Sequence, residues 1–396
     1  MPRIRAPVNP EMLRWTRDRA LIGLSPERTE AMQKKIAGFK ALSEWEAGRM
    51  LPTLRQAENF AKAVHAPIGY LFLSKPPKED MPIPDFRTFS GHEVTQPSLD
   101  LLETIYICQD RQDWYRNFAR SNGEPDLNFV SSASLKSSPE AVAARMRETF
   151  DLDACRKCST WDEALRLFIQ QAEQAGILVM VNGVVLSNNH RPLNPEEFRG
   201  FALCDSFAPL IFINGRDTKA AQMFTLAHEL AHIWLGTSAL SNLGTTIGPS
   251  DYMGFRNEEV WCNAVAAELL VPLKALRPDL RQNEPLTDAL RRLARNFKVS
   301  SLVILRRLLD AKWLTREQFD IAWLEENARL QTIVRDSGRG GDFYRSAGAR
   351  VGQRFARALI ASTLRGQTLY RDAFQMLDIK NIKTFDKLGR ELGVMG

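Results

Sequence analysis

Residues 224–236, FTLAHELAHIWLG, constrain the chain more than any other stretch. Phe224, Leu226, Leu230, Ala231, Ile233 and Leu235 make the flanks apolar enough for a buried helix. Nothing from Ala220 to Leu235 breaks a helix, and Gly236 supplies a stop. Yet the same stretch carries His228, Glu229 and His232. Three such polar side chains in an apolar helix are costly without a compensating partner. Positions four apart share a helix face, so both imidazoles can meet one metal ion. Glu229 follows the first of them, where a carboxylate can take the proton of an attacking water. This HExxH pattern points to a zinc-dependent hydrolase, most simply a peptidase. The competing reading is a pair of satisfied core histidines with an exposed Glu. With five histidines in all (65, 92, 190, 228 and 232), a chance match is rare.

A catalytic zinc site needs a third protein ligand and leaves a fourth position for water. No third histidine follows, so HExxHxxGxxH is excluded. The next acidic cluster opens NEEVWCNAVAAELLVP, a helix ended by Pro272. Glu259 is the expected third ligand, with Glu258 and then Glu268 as alternatives. The bland account of Glu258 and Glu259 is acids complementing a helix dipole. Asn263, one turn beyond Glu259, is placed to orient the site. Tyr252 and Arg256, just before this helix, are candidate oxyanion donors.

FTLAHELAHIWLG followed by EEVWCNAVAAELLVP resembles the ImmA/IrrE family of metallo-endopeptidases. The residues that carry the resemblance are His228, His232, Glu259, Cys262, Asn263, Ala266, Leu269, Leu270 and Pro272. Cys262 stands where Ala is more usual. The resemblance implies zinc (Zn2+) as cofactor and cleavage of a protein, often a transcriptional repressor, in response to stress or mobile elements.

The chain is 396 residues long, enough for about two to four domains. Its start, MPRIRAPVNPEMLRW, has no apolar signal core, and no run of about 18 apolar residues occurs, so a cytoplasmic protein without a membrane partner is expected. Five cysteines leave one odd and fit a reducing compartment; Cys155 and Cys158 form a single CxxC, better read as an incidental thiol pair than as a zinc knuckle. The net charge of +6 permits polyanion binding without demanding it.

Residues 9–74 read as five short helices around a tight turn, with Ser25-Pro26 as a cap, Gly48 as a stop and Pro52-Thr53 as a new start. Leu13-Arg14, Gly23-Leu24-Ser25, Trp45-Glu46-Ala47-Gly48, Pro52-Thr53-Leu54 and Ile68-Gly69-Tyr70-Leu71-Phe72 resemble an Xre/Cro-type helix-turn-helix domain. That resemblance implies operator double-stranded DNA as a partner, with a homodimer as one form the protein can take; a helix-turn-helix can also be kept as a protein-interaction module. The approach to the third helix, KKIAGFKALSEW, lacks the polar start usual for a base-reading helix. Candidate DNA contacts are Lys40, Ser43, Arg49 and Arg55, with Lys34 and Lys35 near phosphates. Residues 1–80 hold fourteen Lys and Arg against nine Asp and Glu, which suits DNA. Each of these side chains also has a plain reading as part of a solvated helix face.

A Pro-rich linker spans 75–95, and its Pro84-Asp85-Phe86-Arg87 is similar to the link that fused members of the family carry. A zincin-like metallopeptidase domain with leading helices is expected over 96–282, a helical extension over 283–336 and a basic helical segment over 342–396. Strands are expected in GILVMVNGVVL, with a turn at Asn182-Gly183, and in FRGFALCD and PLIFING as a hairpin. A sheet edge before HExxH can hold an extended peptide by β-augmentation. His190, in SNNHRPLNPEE, reads as a loop residue. FKVSSLVILRRL has a helix-turn-helix flavour, and Ser337-Gly338-Arg339-Gly340-Gly341 reads as a break. Beyond it, Arg350, Arg354 and Arg357 share one helix face and Val351, Phe355 and Leu359 another.

The fold class is therefore mostly α with a small β-sheet (α+β). Three functions compete: a DNA-bound regulator whose peptidase cuts a repressor or the product of a neighbouring gene, an antitoxin-like regulator of a toxin-antitoxin locus, and a ligand-sensing transcription factor whose metal domain does not cut.

Overall fold

The computed structural model describes residues 4–84, 96–241, 257–336 and 347–395. Asp85-Phe86-Arg87, His92, Tyr252, Arg256 and the stretch 337–341 lie outside the described residues. The protein is mostly helical with a small mixed sheet. It divides into two compact units, Met1–Pro82 with His92–Ile105, and Ile83–Gly91 with Tyr106–Gly396.

The first unit holds α1 (Pro10–Arg19), α2 (Pro26–Ala37), α3 (Leu42–Glu46) and α4 (Leu54–Ala63). Asn9, Ser25 and Thr53 cap α1, α2 and α4 by accepting a backbone N–H, and Thr53 with Gln56 completes a capping box. The fifth expected helix is a single 3-10 stretch, Ile68–Phe72, and α3 is barely more than one turn. Leu13, Ile36, Trp45, Phe60, Val64 and Leu71 form one apolar cluster.

α5 (Leu99–Ser121) leads into the second unit, followed by α6 (Pro139–Thr149), α7 (Leu152–Lys157) and α8 (Trp161–Gln174). The strands are β1 (Leu178–Asn182), β2 (Val184–Val185), β3 (Asn188–Pro192), β4 (Gly200–Leu203) and β5 (Leu210–Asn214). β4 and β5 form the expected antiparallel hairpin, with Leu203 opposite Leu210, and β1 pairs parallel with β5. After α9 (Lys219–Leu235) comes β6 (Ala239–Ser241), which extends the sheet to the order β1-β5-β4-β6. His190 corrects the loop reading: it lies in β3, which pairs with β2 in a separate two-stranded sheet.

α10 (Asn257–Leu270) and α11 (Leu273–Leu276) follow, then α12 (Leu286–Phe297), α13 (Ser301–Asp310) and α14 (Arg316–Asp336). One apolar cluster runs from Val142 through α9 and α10 to Phe319 and Trp323 of α14. The chain ends in α15 (Ala347–Val351), α16 (Gln353–Leu364), α17 (Tyr370–Leu377) and α18 (Ile382–Glu391). Gly352, with φ +81°, breaks what the pattern of arginines suggested as one continuous helix. Arg354 pairs with Glu124 at 3.2 Å, and Arg357 donates to the Leu392 carbonyl, so this basic face is engaged within the chain. Among the described residues, no helix is long and apolar enough to cross a membrane.

Candidate metal centre

α9 is anchored at both ends. Thr218 accepts the Ala221 N–H at 3.2 Å, and Gly236, with φ +81°, closes the last turn by donating to the His232 carbonyl. Between these ends the helix is buried on all sides, packed on β4, β5, α8 and α10. His228, Glu229 and His232 are fully buried, and Glu259, in the first turn of α10, is nearly so.

The His228 and His232 Nε2 atoms lie 3.0 Å apart. Glu259 Oε2 lies 3.3 Å from His228 Nε2, and Oε1 lies 3.1 Å from His232 Nε2. The three residues thus offer ligand atoms that all lie within 4.8 Å of one another. Burial pulls the His232 pKa down, against the opposing pull of Glu259. Burial alone would raise Glu259, but His228 and His232 outweigh it and hold the carboxyl at about 2. Two imidazole nitrogens and a carboxylate converging on one point form a donor set that fits a zinc ion.

His232 Nδ1 stands 3.0 Å from Thr237 Oγ1. A proton on Nδ1, donated to that hydroxyl, leaves the Nε2 lone pair facing the cluster. Thr237 was not singled out from the sequence, although its place just after the Gly236 stop was a usable signal. His228 Nδ1 is buried and forms no hydrogen bond. Beneath Glu229, β4 passes at Gly200: a Cβ there would lie 2.6 Å from Thr225 Cγ2, 2.9 Å from the Phe212 carbonyl and 3.2 Å from Glu229 Oε1.

The alternatives for the third ligand sort out by geometry. Glu268 pairs with Arg307 and accepts the Leu273 N–H, away from the histidines. Glu258 precedes Glu259 on α10 and does not join the cluster. Asn263 does not orient the site as its spacing suggested, since its Oδ1 and Nδ2 form no hydrogen bond. One turn apart on a helix aligns two residues along the axis, but the rotamer decides where the amide points. Cys155 is buried and Cys158 half-buried, and both are free thiols.

In the first unit, Lys40, Ser43, Arg49 and Arg55 are all exposed, before, on and after α3 and at the start of α4. Arg49 is held in a fork by Glu44, with Nε and an Nη each 2.8 Å from a carboxylate oxygen.

A buried HExxH helix on a small sheet, with a carboxylate from the next helix completing the cluster, defines a metallopeptidase-type domain. Residues 172–309 match the family model of the IrrE N-terminal-like domain (Peptidase_M78), which supports an ImmA/IrrE-type domain over about a third of the chain. Residues 351–391 match a domain of unknown function (DUF8813). No curated protein and no solved structure matches the chain.

Proposed function

We propose that the protein is a DNA-binding regulator whose zinc-dependent endopeptidase domain cleaves a repressor or partner protein. The observation that carries the catalytic half is the convergence of His228, His232 and Glu259 with Glu229 buried beside them. A structural zinc site closes with four protein ligands and needs no general base. Here three side chains converge among the described residues, and Glu229 stands at the base position of HExxH.

Zinc, when bound, supplies Lewis-acid polarisation of the peptide carbonyl and a lowered pKa for water. Glu229 takes the proton of the attacking water and delivers it to the leaving amine. Thr237 holds the His232 ring in the tautomer that leaves Nε2 available. The Lys and Arg excess over residues 1–80, with Lys40, Ser43 and Arg55 exposed around α3 and α4, supports an operator-binding role for the first unit.

The test incubates the zinc-loaded protein with the products of neighbouring genes, with Glu229→Gln as control. The wild type is expected to yield new fragments that the variant does not. Identical products from both, or none from either, contradict the proposal.

A further inference from the structure

The last two helices meet at a short, well-fixed turn. α17 and α18 are joined by residues 378–381, and the chain enters that turn through Asp378 with φ +53°. Asn381 caps α18, its Oδ1 accepting the Thr384 N–H at 3.0 Å. Tyr370 and Phe374 of α17 pack on Phe385 of α18, with ring centroids 5.4 and 5.7 Å from its own. Ala373, Leu377 and Leu388 are buried, and α16 packs against both helices. Two short helices locked through a tight turn and backed by a third form the frame of a helix-turn-helix.

The outer face of α18 is basic. Lys380 in the turn and Lys383, Lys387 and Arg390 on the helix recur three or four residues apart, which puts them on one side, opposite the buried Phe385 and Leu388. All four are exposed, and among the described residues the one ion pair along this stripe is Lys387 with Glu391, at 3.8 Å. Other arginines of this unit are held within the chain, Arg116 by Asp205, Arg147 by Asp153 and Arg354 by Glu124. The stripe instead presents its charge to solvent, where it suits a polyanion.

The β2–β3 hairpin stands beside this frame. Residues 187–190 are exposed, and Ser187, Asn189 and His190 line one cleft with Asp378 and Lys380 of the turn. The hairpin is pinned from within: the Asn182 amide donates to the Leu186 carbonyl at 2.7 Å, and Asn188 Oδ1 accepts the His190 N–H at 3.0 Å. A polar hairpin next to the turn is placed to donate to phosphates flanking the groove that the second helix enters.

We propose that α17, α18 and the β2–β3 hairpin form a second binding site for double-stranded DNA, distinct from the one proposed on α1–α4. α18 lies in the major groove, about 12 Å wide against a helix about 10–12 Å across. Lys383, Lys387 and Arg390 neutralise phosphates along it, Lys380 anchors the turn, and Asn189 and His190 reach the phosphates beside it. Such contacts are sequence-tolerant, with Kd about 10⁻⁴–10⁻⁶ M at physiological salt. The inference does not depend on operator binding by the first unit.

The experiment uses the full chain carrying Lys40→Ala, Arg49→Ala and Arg55→Ala, so that the first unit contributes little. A fluorescent duplex of mixed sequence is titrated and read by anisotropy at several salt concentrations. Micromolar binding at low salt, too weak to survive a gel, is expected. Adding Lys383→Ala, Lys387→Ala and Arg390→Ala should weaken it at least about tenfold and reduce the salt slope by about three. Adding instead Lys136→Ala, Arg145→Ala and Lys157→Ala, the same loss of charge on other elements, should change it less than about threefold. Asn189→Asp with His190→Asp should weaken it about fivefold, because carboxylates repel phosphates.

No binding at low salt overturns the inference, and so do equal affinity and slope in the stripe and control variants. Poly-glutamate that displaces the labelled duplex as readily as unlabelled duplex at equal charge also overturns it and assigns the stripe to an acidic protein. Unchanged affinity in the hairpin variant overturns the hairpin's part. The first unit is read separately, on the protein's own promoter with Lys40, Arg49 and Arg55 intact, so neither result decides the other.

Discussion

His232 Nδ1 and Thr237 Oγ1 are 3.0 Å apart, so the second histidine of the motif is oriented by a hydroxyl five residues further on. The αL turn at Gly236 brings Thr237 back under the ring. Thr237→Val keeps the shape of the side chain and removes the acceptor. Zinc affinity, measured by competition with a chromogenic chelator, should fall about 10- to 100-fold. An unchanged affinity would mean that the ring is held by packing alone.

Gly200 is the point where β4 passes beneath Glu229. A methyl group there meets Thr225 Cγ2 at 2.6 Å and the Phe212 carbonyl at 2.9 Å, and the carbonyl cannot rotate away. Gly200→Ala should destabilise the protein by about 1–3 kcal/mol, read from the midpoint of urea unfolding. A midpoint equal to that of the wild type would show that α9 stands further from the strand.

Glu173, at the end of α8, is buried against the start of α16. It accepts the Arg354 N–H at 3.1 Å, and burial pushes its pKa up to about 7. Because the folded pKa lies above the ordinary value of 4.5, the folded state holds more protons between these limits. Stability from this group is fully present below about pH 4.5, declines as pH rises towards about 7 and is flat above, a loss of about 3 kcal/mol. Glu173→Gln keeps an acceptor for the Arg354 N–H without the charge. It should raise Tm relative to wild type at pH 8 and leave it nearly unchanged at pH 4.5, by differential scanning calorimetry. Parallel pH profiles for the two proteins would contradict this.

For the first unit, a gel shift on the protein's own promoter should weaken steeply as salt rises. Changing Lys40, Arg49 and Arg55 together to Ala should abolish it. Of the single changes, Arg49→Ala should matter least, because Glu44 already holds that guanidinium at 2.8 Å. A shift retained by the triple variant would place the DNA surface elsewhere.

The sequence made the metal cluster legible because its chemistry is local. His228 and His232 are one turn apart, and Glu259 opens the next apolar helix. The signals it lacked are non-local. β3 is the polar run Asn188–Pro192, whose strand character comes from pairing with Val184 and Val185. β6 is only three residues long and is recognisable by its pairing with Gly200, Phe201 and Ala202. Asn263 was placed correctly along its helix, but no spacing rule reports a side chain left without a partner. Gly352 was hidden inside an amphipathic pattern that continues on both sides of it; its φ is +81°, and a Cβ there would lie 2.7 Å from the Val179 carbonyl.

The central claim is that His228, His232 and Glu259 bind one ion while Glu229 serves as base without holding it. Zinc content per chain, measured by plasma mass spectrometry after dialysis, tests this most directly. One zinc per chain is predicted for the wild type and for Glu229→Gln, with loss of nearly all of it in His228→Ala and Glu259→Ala. Equal zinc in the His228→Ala and wild-type proteins, or none in the wild type, would contradict the account.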